Sequence, residues 1–168
     1  MSDGQRLTHV DSTGAARMVD VSAKDVTVRT ATASGRVHVS PEVVSLLRDG
    51  SVPKGDALGV ARIAGIQAAK RTPDLVPLCH PVAIHGVEVD LRVEDDSVHL
   101  TATVRTADRT GVEMEALTCV AVAGLALVDM VKSVDRSATI TDVRVEHKAG
   151  GRSGEWRRTA AAAGTGTP

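Results

Sequence analysis

Apolar and polar residues alternate along several stretches of the chain, with the period of two that is typical of half-buried β-strands. The alternation covers 26–32 and resumes over 36–39 after Gly35, which predicts a pair of strands joined by a turn at the glycine. A longer alternation over 87–93 and 98–104, interrupted by an Asp-Asp-Ser turn, predicts the clearest hairpin of the chain.

Three other segments carry helix signals. Ser40, followed by a proline, is a typical N-cap, and Gly50 is a typical residue just beyond a helix C-terminus, so the first helix is predicted between them. Asp56 is predicted to cap a second helix, which must end before the Thr-Pro pair at 72–73. The longest helix is predicted over 113–134.

The remaining signals complete a fold. Residues 73–81, PDLVPLCHP, contain three prolines and are predicted to form an ordered loop without helix, and a last strand is predicted over 139–146. A strand pair, two helices, a hairpin, a long helix and a strand predict an α+β fold, with a ferredoxin-like antiparallel sheet, helices packed on one face and an additional helix. We expect one domain over 1–158, with the first ~12 residues mobile, and a disordered tail over 159–168.

Composition narrows the classes of function. Twenty Lys and Arg residues against 21 Asp and Glu give a net charge of −1, which offers nothing to a nucleic acid or an anionic membrane. Trp156 is the only Phe, Trp or Tyr, so base stacking on aromatic side chains is nearly impossible as a binding mode. Two cysteines and no signal-peptide pattern predict a cytoplasmic protein without disulfides, and the longest apolar run, 117–128, is too short for a bilayer.

Charged residues occur at both ends of the predicted long helix. Asp129 and Lys132 are three positions apart and share a helix face, either as a solvated ion pair or as part of a site that needs charge. Glu113 and Glu115 at the other end either favour the helix dipole or line the same site. Residues 113 and 129 are 16 positions apart, which is about 24 Å along a helix and roughly 160° around it. If both ends serve one site, two subunits must build it.

Further candidates lie outside the helix. Cys79 and His80 are adjacent, which is poor spacing for zinc, but a histidine between prolines could donate to a base or a phosphate. Lys148 and Arg152 flank glycines in KAGGRSG, which is either a phosphate-binding turn or a solvated terminus. Lys54 in PKGD is either a solvated loop residue or a cation directed into a cleft.

Several long motifs together resemble one family. The chain contains MVDVSAKDVTVR, KGDALGVARIAGIQAAKRTPDLVPLCHP, GVEMEALT, VDMVKSVD and KAGGRSGEW, in this order, between His9 and Trp156. These motifs closely resemble those of the molybdenum-cofactor biosynthesis protein C family, the cyclic pyranopterin monophosphate synthases. The resemblance implies conversion of the GTP-derived 3′,8-cyclo-7,8-dihydroguanosine 5′-triphosphate into cyclic pyranopterin monophosphate, with release of pyrophosphate. It also implies a ferredoxin-like fold and a hexamer, a trimer of dimers, with active sites between subunits.

The resemblance also assigns residues to the site. It makes Asp129 the catalytic aspartate, with Lys132 and Lys54 as the key lysines, and we hypothesise that these three divide the acid and base roles. Arg152 stands where many relatives have lysine, and Val128 stands where tyrosine is expected. The residues implied to bind the substrate are Leu78, Cys79, His80, Glu113, Met114, Glu115, Lys148 and Arg152.

Cofactors and competing functions complete the expectations. The sequence requires no cofactor and shows no carboxylate cluster typical of a metal site, which leaves Mg²⁺ arriving with the triphosphate as an open alternative. A catalytically inactive pterin- or nucleotide-binding oligomer is the main competing class, but such a protein could lose Asp129 or Lys132 without unfolding. A purely structural oligomerisation module would leave PLCHP and KAGGRSG unexplained.

Overall fold

The computed structural model describes residues 13–159. Apart from Thr159, the predicted mobile arm and the predicted tail lie outside the described residues. The elements, in chain order, are β1 (Thr27–His38), α1 (Pro41–Asp49), α2 (Ala57–Ala69), α3 (Thr72–Leu75), β2 (Ile84–Val93), β3 (Ser97–Asp108), α4 (Glu113–Val131), β4 (Thr139–Ala149) and β5 (Trp156–Arg157).

The five strands form one antiparallel sheet in the order β2-β3-β1-β4-β5. Without the two-residue β5, this is the strand order of a ferredoxin-like sheet, so the predicted α+β fold is confirmed. Helix α4 packs against the strands and α2 packs against α4. Because α4 has neighbours on two sides, it is apolar around most of its circumference.

Gly35 does not turn the chain, as the sequence pattern predicted. β1 continues through it as one strand, in which Gly35 pairs with Leu100. A Cβ atom at this position would lie 2.7 Å from Cγ1 of Val120 on α4, so the glycine lets the helix approach the sheet. The pairing of β1 with β4 also shifts register next to it, between Ser34 and Arg36.

The predicted helix caps are confirmed. Ser40 accepts a hydrogen bond from the Val43 amide, Gly50 has a φ of 67°, and Asp56 accepts a bond from the Gly59 amide at 2.8 Å. The prediction of a helix-free loop after α2 was wrong at its start, because α3 forms there. A proline in a first helical turn removes only an amide that would have no helical partner, so Pro73 does not prevent that turn.

The other boundaries move by a few residues. α4 ends at Val131, three residues before its predicted end, and β4 continues to Ala149, three residues past its predicted end. α4 has the length and composition of a membrane-spanning helix, but half of its most apolar 18-residue segment is buried inside the fold. It is the central core helix, and the candidate site residues lie near its two ends.

Candidate functional site

The C-terminal end of α4 carries a cluster of three charged side chains. Lys54, in the loop between α1 and α2, donates from Nζ to the Asp129 backbone carbonyl at 2.7 Å and to Asp129 Oδ2 at 3.1 Å. Lys132 Nζ lies 2.7 Å from Asp129 Oδ1. The three residues to which the resemblance assigned catalysis therefore form one contact group, which we call the Lys-Asp-Lys cluster.

The electrostatics of this cluster are those of ion pairs close to solvent. Hydrogen bonds from Lys132 and then Lys54 hold the pKa of Asp129 below its ordinary value. All three side chains are more than a third exposed, the least being Lys54 at 38%. In the single chain, Asp129 is therefore a charged group that orients two ammonium groups at a surface.

The other end of α4 opens into a cleft of about 510 Å³, which we call the ring cleft. Its walls come from the first turn of α4, the loop after α3, and the segment that precedes β1. The structure thus places six of the predicted substrate-binding residues together: Leu78, Cys79, His80, Glu113, Met114 and Glu115.

Two titratable groups in the ring cleft have raised pKa values. Glu115 is 3% exposed, and its burial, followed by the nearby charge of Glu113, raises the pKa of its carboxyl. Burial and the charge of Glu115 raise the pKa of the Cys79 thiol. Burial therefore disfavours the charged forms of both groups on the inner wall of the cleft. His80 is half-buried, and its Nε2 donates to the Val19 carbonyl at 2.6 Å.

A second cavity of about 150 Å³ adjoins the ring cleft, with which it shares Lys24 and Glu113 as lining residues. We call it the phosphate cavity. Lys148, from the end of β4, directs Nζ at Ser153 Oγ (3.0 Å) and at Glu113 Oε1 (3.4 Å). In the described part of the chain, four cationic side chains line this cavity: Lys24, Arg29, Arg109 and Lys148.

The glycine-rich turn after β4 packs tightly against β1. Gly150 has a φ of 95°, and a Cβ atom there would collide with the backbone carbonyl of Val28. Gly151 has a φ of 72°, and a side chain there would collide with the guanidinium of Arg29. Arg152 follows on the exposed side and lines a further cavity of about 150 Å³ with Lys24 and Arg29. The predicted pair Lys148 and Arg152 therefore lies along one basic region.

Sequence reasoning missed three of the four cations of the phosphate cavity. Lys24 lies in the motif MVDVSAKD, Arg29 in the first predicted strand, and Arg109 just before α4. Arg29 donates from Nε to the Asp108 carbonyl at 2.9 Å, which ties β1 to the turn that leads into α4. The available signal was a TG pair directly after Arg109, because a glycine before a helix N-terminus lets an anion approach the backbone.

The structure does not bring the two ends of α4 together within one chain. Glu115 and Asp129 are 14 positions apart on this helix, or about 21 Å along its axis. The ring cleft, if treated as a cube, is only about 8 Å across. Among residues 13–159, no group of three or more His, Cys, Asp or Glu side chains is arranged to hold a metal ion.

Comparisons with known proteins identify the family. The MoaC family matches residues 18–151. A cyclic pyranopterin monophosphate synthase of Streptomyces griseus subsp. griseus is 71% identical over 160 residues, which cover 95% of this chain and 90% of that protein. A protein of the same name from a Nocardioides species is 70% identical, covering 94% and 99% of the two chains. Cyclic pyranopterin monophosphate synthase 2 of Mycobacterium tuberculosis is 58% identical, covering 90% and 91%. The chain belongs to the MoaC family.

Proposed function

We propose that this chain is a cyclic pyranopterin monophosphate synthase. It converts (8S)-3′,8-cyclo-7,8-dihydroguanosine 5′-triphosphate into cyclic pyranopterin monophosphate and pyrophosphate, in the biosynthesis of the molybdenum cofactor. The name shared by its relatives supports this activity. The observation in the fold that supports it best is the ring cleft next to the four-cation phosphate cavity, which matches a substrate with fused rings at one end and a triphosphate at the other.

The ring cleft suits the fused rings. Its volume of about 510 Å³ lies within the range of small-molecule sites, about 300–1,000 Å³. Leu78, Met114 and Val82 supply apolar contact surface, while Glu115 supplies a buried carboxyl that can pair with ring N–H groups. A carboxyl in this position loses water on burial, so a ring that hydrogen-bonds to it regains that interaction.

The phosphate cavity suits the triphosphate. Four positive charges surround this cavity of about 150 Å³, from Lys24, Arg29, Arg109 and Lys148, and Glu113 is the one carboxylate among its described lining residues. Cations with several N–H donors are the usual partners of phosphate oxygens. When the ribose hydroxyl attacks the α-phosphorus, the bond to the β-phosphate oxygen breaks and pyrophosphate leaves. The four cations would stabilise the charge that develops on that leaving group.

The Lys-Asp-Lys cluster supplies groups that can move protons during ring opening and closure. Asp129 orients the ammonium groups of Lys54 and Lys132, which lie 3.1 Å and 2.7 Å, respectively, from its carboxylate oxygens. Oriented ammonium groups can donate protons to substrate atoms and recover them through the same geometry. We therefore assign Lys54 and Lys132 to proton transfer and Asp129 to their orientation and to acceptance of a substrate proton.

An oligomer is required if the cluster and the ring cleft act on one substrate. The outer face of α2 and α4 exposes Ile63 (63%) and Leu125 (60%), next to a groove of about 520 Å³ lined by Ala64 and Val122. Leu125 is one helical turn before Asp129, so a second copy that covers this face comes close to the cluster. We propose a homohexamer in the cytoplasm, a trimer of dimers, in which each site combines the Lys-Asp-Lys cluster of one subunit with the ring cleft of another.

The test is an anaerobic assay with the purified protein and the cyclic triphosphate substrate, in which pyrophosphate and the fluorescent oxidation product of the pterin are followed together. We expect both products from the wild type and neither from Asp129→Ala. The matched control is Asp90→Ala, since Asp90 is an exposed aspartate on β2 with one ion pair, to Arg92, 3.6 Å away. Circular dichroism and light scattering must show an unchanged fold and assembly in both variants.

Two results would overturn the proposal. Turnover by Asp129→Ala would remove this residue from the reaction. Tight binding of the substrate by the wild type without either product would instead indicate a catalytically inactive pterin- or nucleotide-binding oligomer.

A further inference from the structure

The segment that precedes β1 forms one wall of the ring cleft, through Val19, Val21 and Lys24. We call residues 19–24 the strap. Asp20 Oδ1 accepts a hydrogen bond from the Ser22 amide at 2.8 Å, and the Lys24 amide donates to the Val21 carbonyl at 3.0 Å. These two local bonds form consecutive turns, which shape the loop but do not attach it to the rest of the fold.

Within residues 13–159, two side chains attach the strap, one at each end. His80 Nε2 donates to the Val19 carbonyl at 2.6 Å, and Arg109 Nε donates to the Lys24 carbonyl at 3.0 Å. His80 comes from the loop before β2 and Arg109 from the turn after β3, so the two attachments are independent of each other. A backbone carbonyl only accepts hydrogen bonds, so Nε2 of His80 carries a proton in this contact.

The attached strap places Lys24 where the two proposed substrate cavities meet. Lys24 lines the ring cleft, the phosphate cavity and the further cavity beside Arg152. Within the described part of the chain, its ammonium group has no ion-pair or hydrogen-bond partner. A cation in this position can contact the phosphate group closest to the rings only while the strap keeps its position.

We propose that His80 and Arg109 are positioning residues that hold the strap, and that the strap delivers Lys24 to the α-phosphate side of the substrate. The assignment of Lys24 to a phosphate rests on the proposed function, whereas the attachment of the strap does not. On this proposal His80 acts through the Val19 carbonyl. Its Nε2 proton is already donated there and is not free for a base or a phosphate.

The attachment is tested without substrate, by hydrogen exchange at the Ser22 and Lys24 amides and by tryptic cleavage after Lys24. His80→Ala should speed exchange at both amides by roughly tenfold and speed cleavage, because one of the two attachments is lost. His80→Gln keeps an N–H donor at a similar reach and should restore the protection. Arg109→Ala should loosen the other end, and His99→Ala, a half-buried histidine on the sheet, serves as the control.

The role of Lys24 is tested with kinetics. His80→Ala should raise KM for the cyclic triphosphate more than it lowers kcat, and His80→Gln should return KM toward the wild-type value. In the Lys24→Ala background, His80→Ala should change KM no further, because the group that the strap delivers is already missing.

The outcomes separate the two assignments. Unchanged exchange in His80→Ala would overturn the attachment, and a fall in kcat with intact strap protection in His80→Gln would show that His80 contacts the substrate. A wild type without turnover would overturn the proposed function, and the exchange experiment would still decide whether the strap is attached.

Discussion

A complementation experiment tests the intersubunit site most directly. Asp129→Ala removes the centre of the Lys-Asp-Lys cluster, and Glu115→Gln removes the carboxyl from the ring cleft while keeping its shape. The two positions are about 21 Å apart along α4, much more than the roughly 8 Å width of the cleft. On the proposed assembly, positions 115 and 129 of one chain therefore belong to different active sites.

The expected magnitude follows from counting sites. Equal amounts of the two variants are dissociated in urea and reassembled, so that half of the dimers contain one chain of each kind. Each mixed dimer has one site with both lesions and one with neither, so about a quarter of all sites are intact. We expect each variant alone to be inactive and the mixture to recover about 25% of the wild-type rate of pyrophosphate release.

The opposite result is equally clear. If each site came from one chain, every site in the mixture would carry one of the two lesions, and the mixture would stay at the background rate. A double variant, with both substitutions in one chain, mixed with wild type serves as the control. It should retain an active fraction in either case, which verifies that reassembly yields folded protein.

Three further predictions concern stability and reactivity. Asp135 accepts hydrogen bonds from two amides and a hydroxyl, which hold its pKa below the ordinary value. Its stabilising effect is therefore complete above the ordinary aspartate pKa of about 3.9 and is lost as the pH falls through the lowered value. Asp135→Ala should lower the free energy of unfolding at pH 7 by about 1–3 kcal/mol, as measured by urea titration, and by less at pH 3, which is below the ordinary aspartate pKa; equal losses at both pH values would contradict this reasoning. Gly65→Ala should cost about 1–3 kcal/mol, because its Cβ would lie 2.9 Å from the carbonyl of Cys119, whereas Gly86→Ala, with open space around it, should change the urea midpoint little; equal midpoints for the two variants would refute the close packing of α2 on α4. Burial raises the pKa of Cys119 to about 12, so Ellman's reagent at pH 8 should label Cys79 slowly and Cys119 only after unfolding; labelling of Cys119 in the folded protein would show that α2 opens.

Local chemistry was sufficient to predict most elements of this fold. Ser40 and Gly50 mark the two ends of α1, as predicted, because capping depends on the capping residue itself and on its nearest amides. Gly35 was misread because a glycine has the same local signature in a turn and under a closely packed helix. Only the position of Val120, far away in the sequence, distinguishes the two cases.

The candidate site could be predicted only where a long motif marked it. Lys24 and Arg109 were missed because a cation in a loop looks the same in a sequence whether it faces water or a cavity. Their shared position arises from tertiary contacts, in which Arg109 donates to the Lys24 carbonyl. The helix spacing, by contrast, was a sound guide, since it separated the two ends of α4 before any contact was known.

The separation of the two ends also bears on how Asp129 becomes reactive. In one chain, Lys132 and Lys54 lower the pKa of Asp129, and water reaches all three side chains, so the carboxylate is a weak base. On the proposed assembly, the ring cleft of a second subunit covers the cluster and removes that water. Loss of water disfavours a charged carboxylate and raises its pKa, which makes proton acceptance from the substrate easier. Assembly would then do more than bring two sets of residues together: it would set the proton affinity of Asp129, and dilution to monomers would abolish turnover even when every catalytic side chain is present.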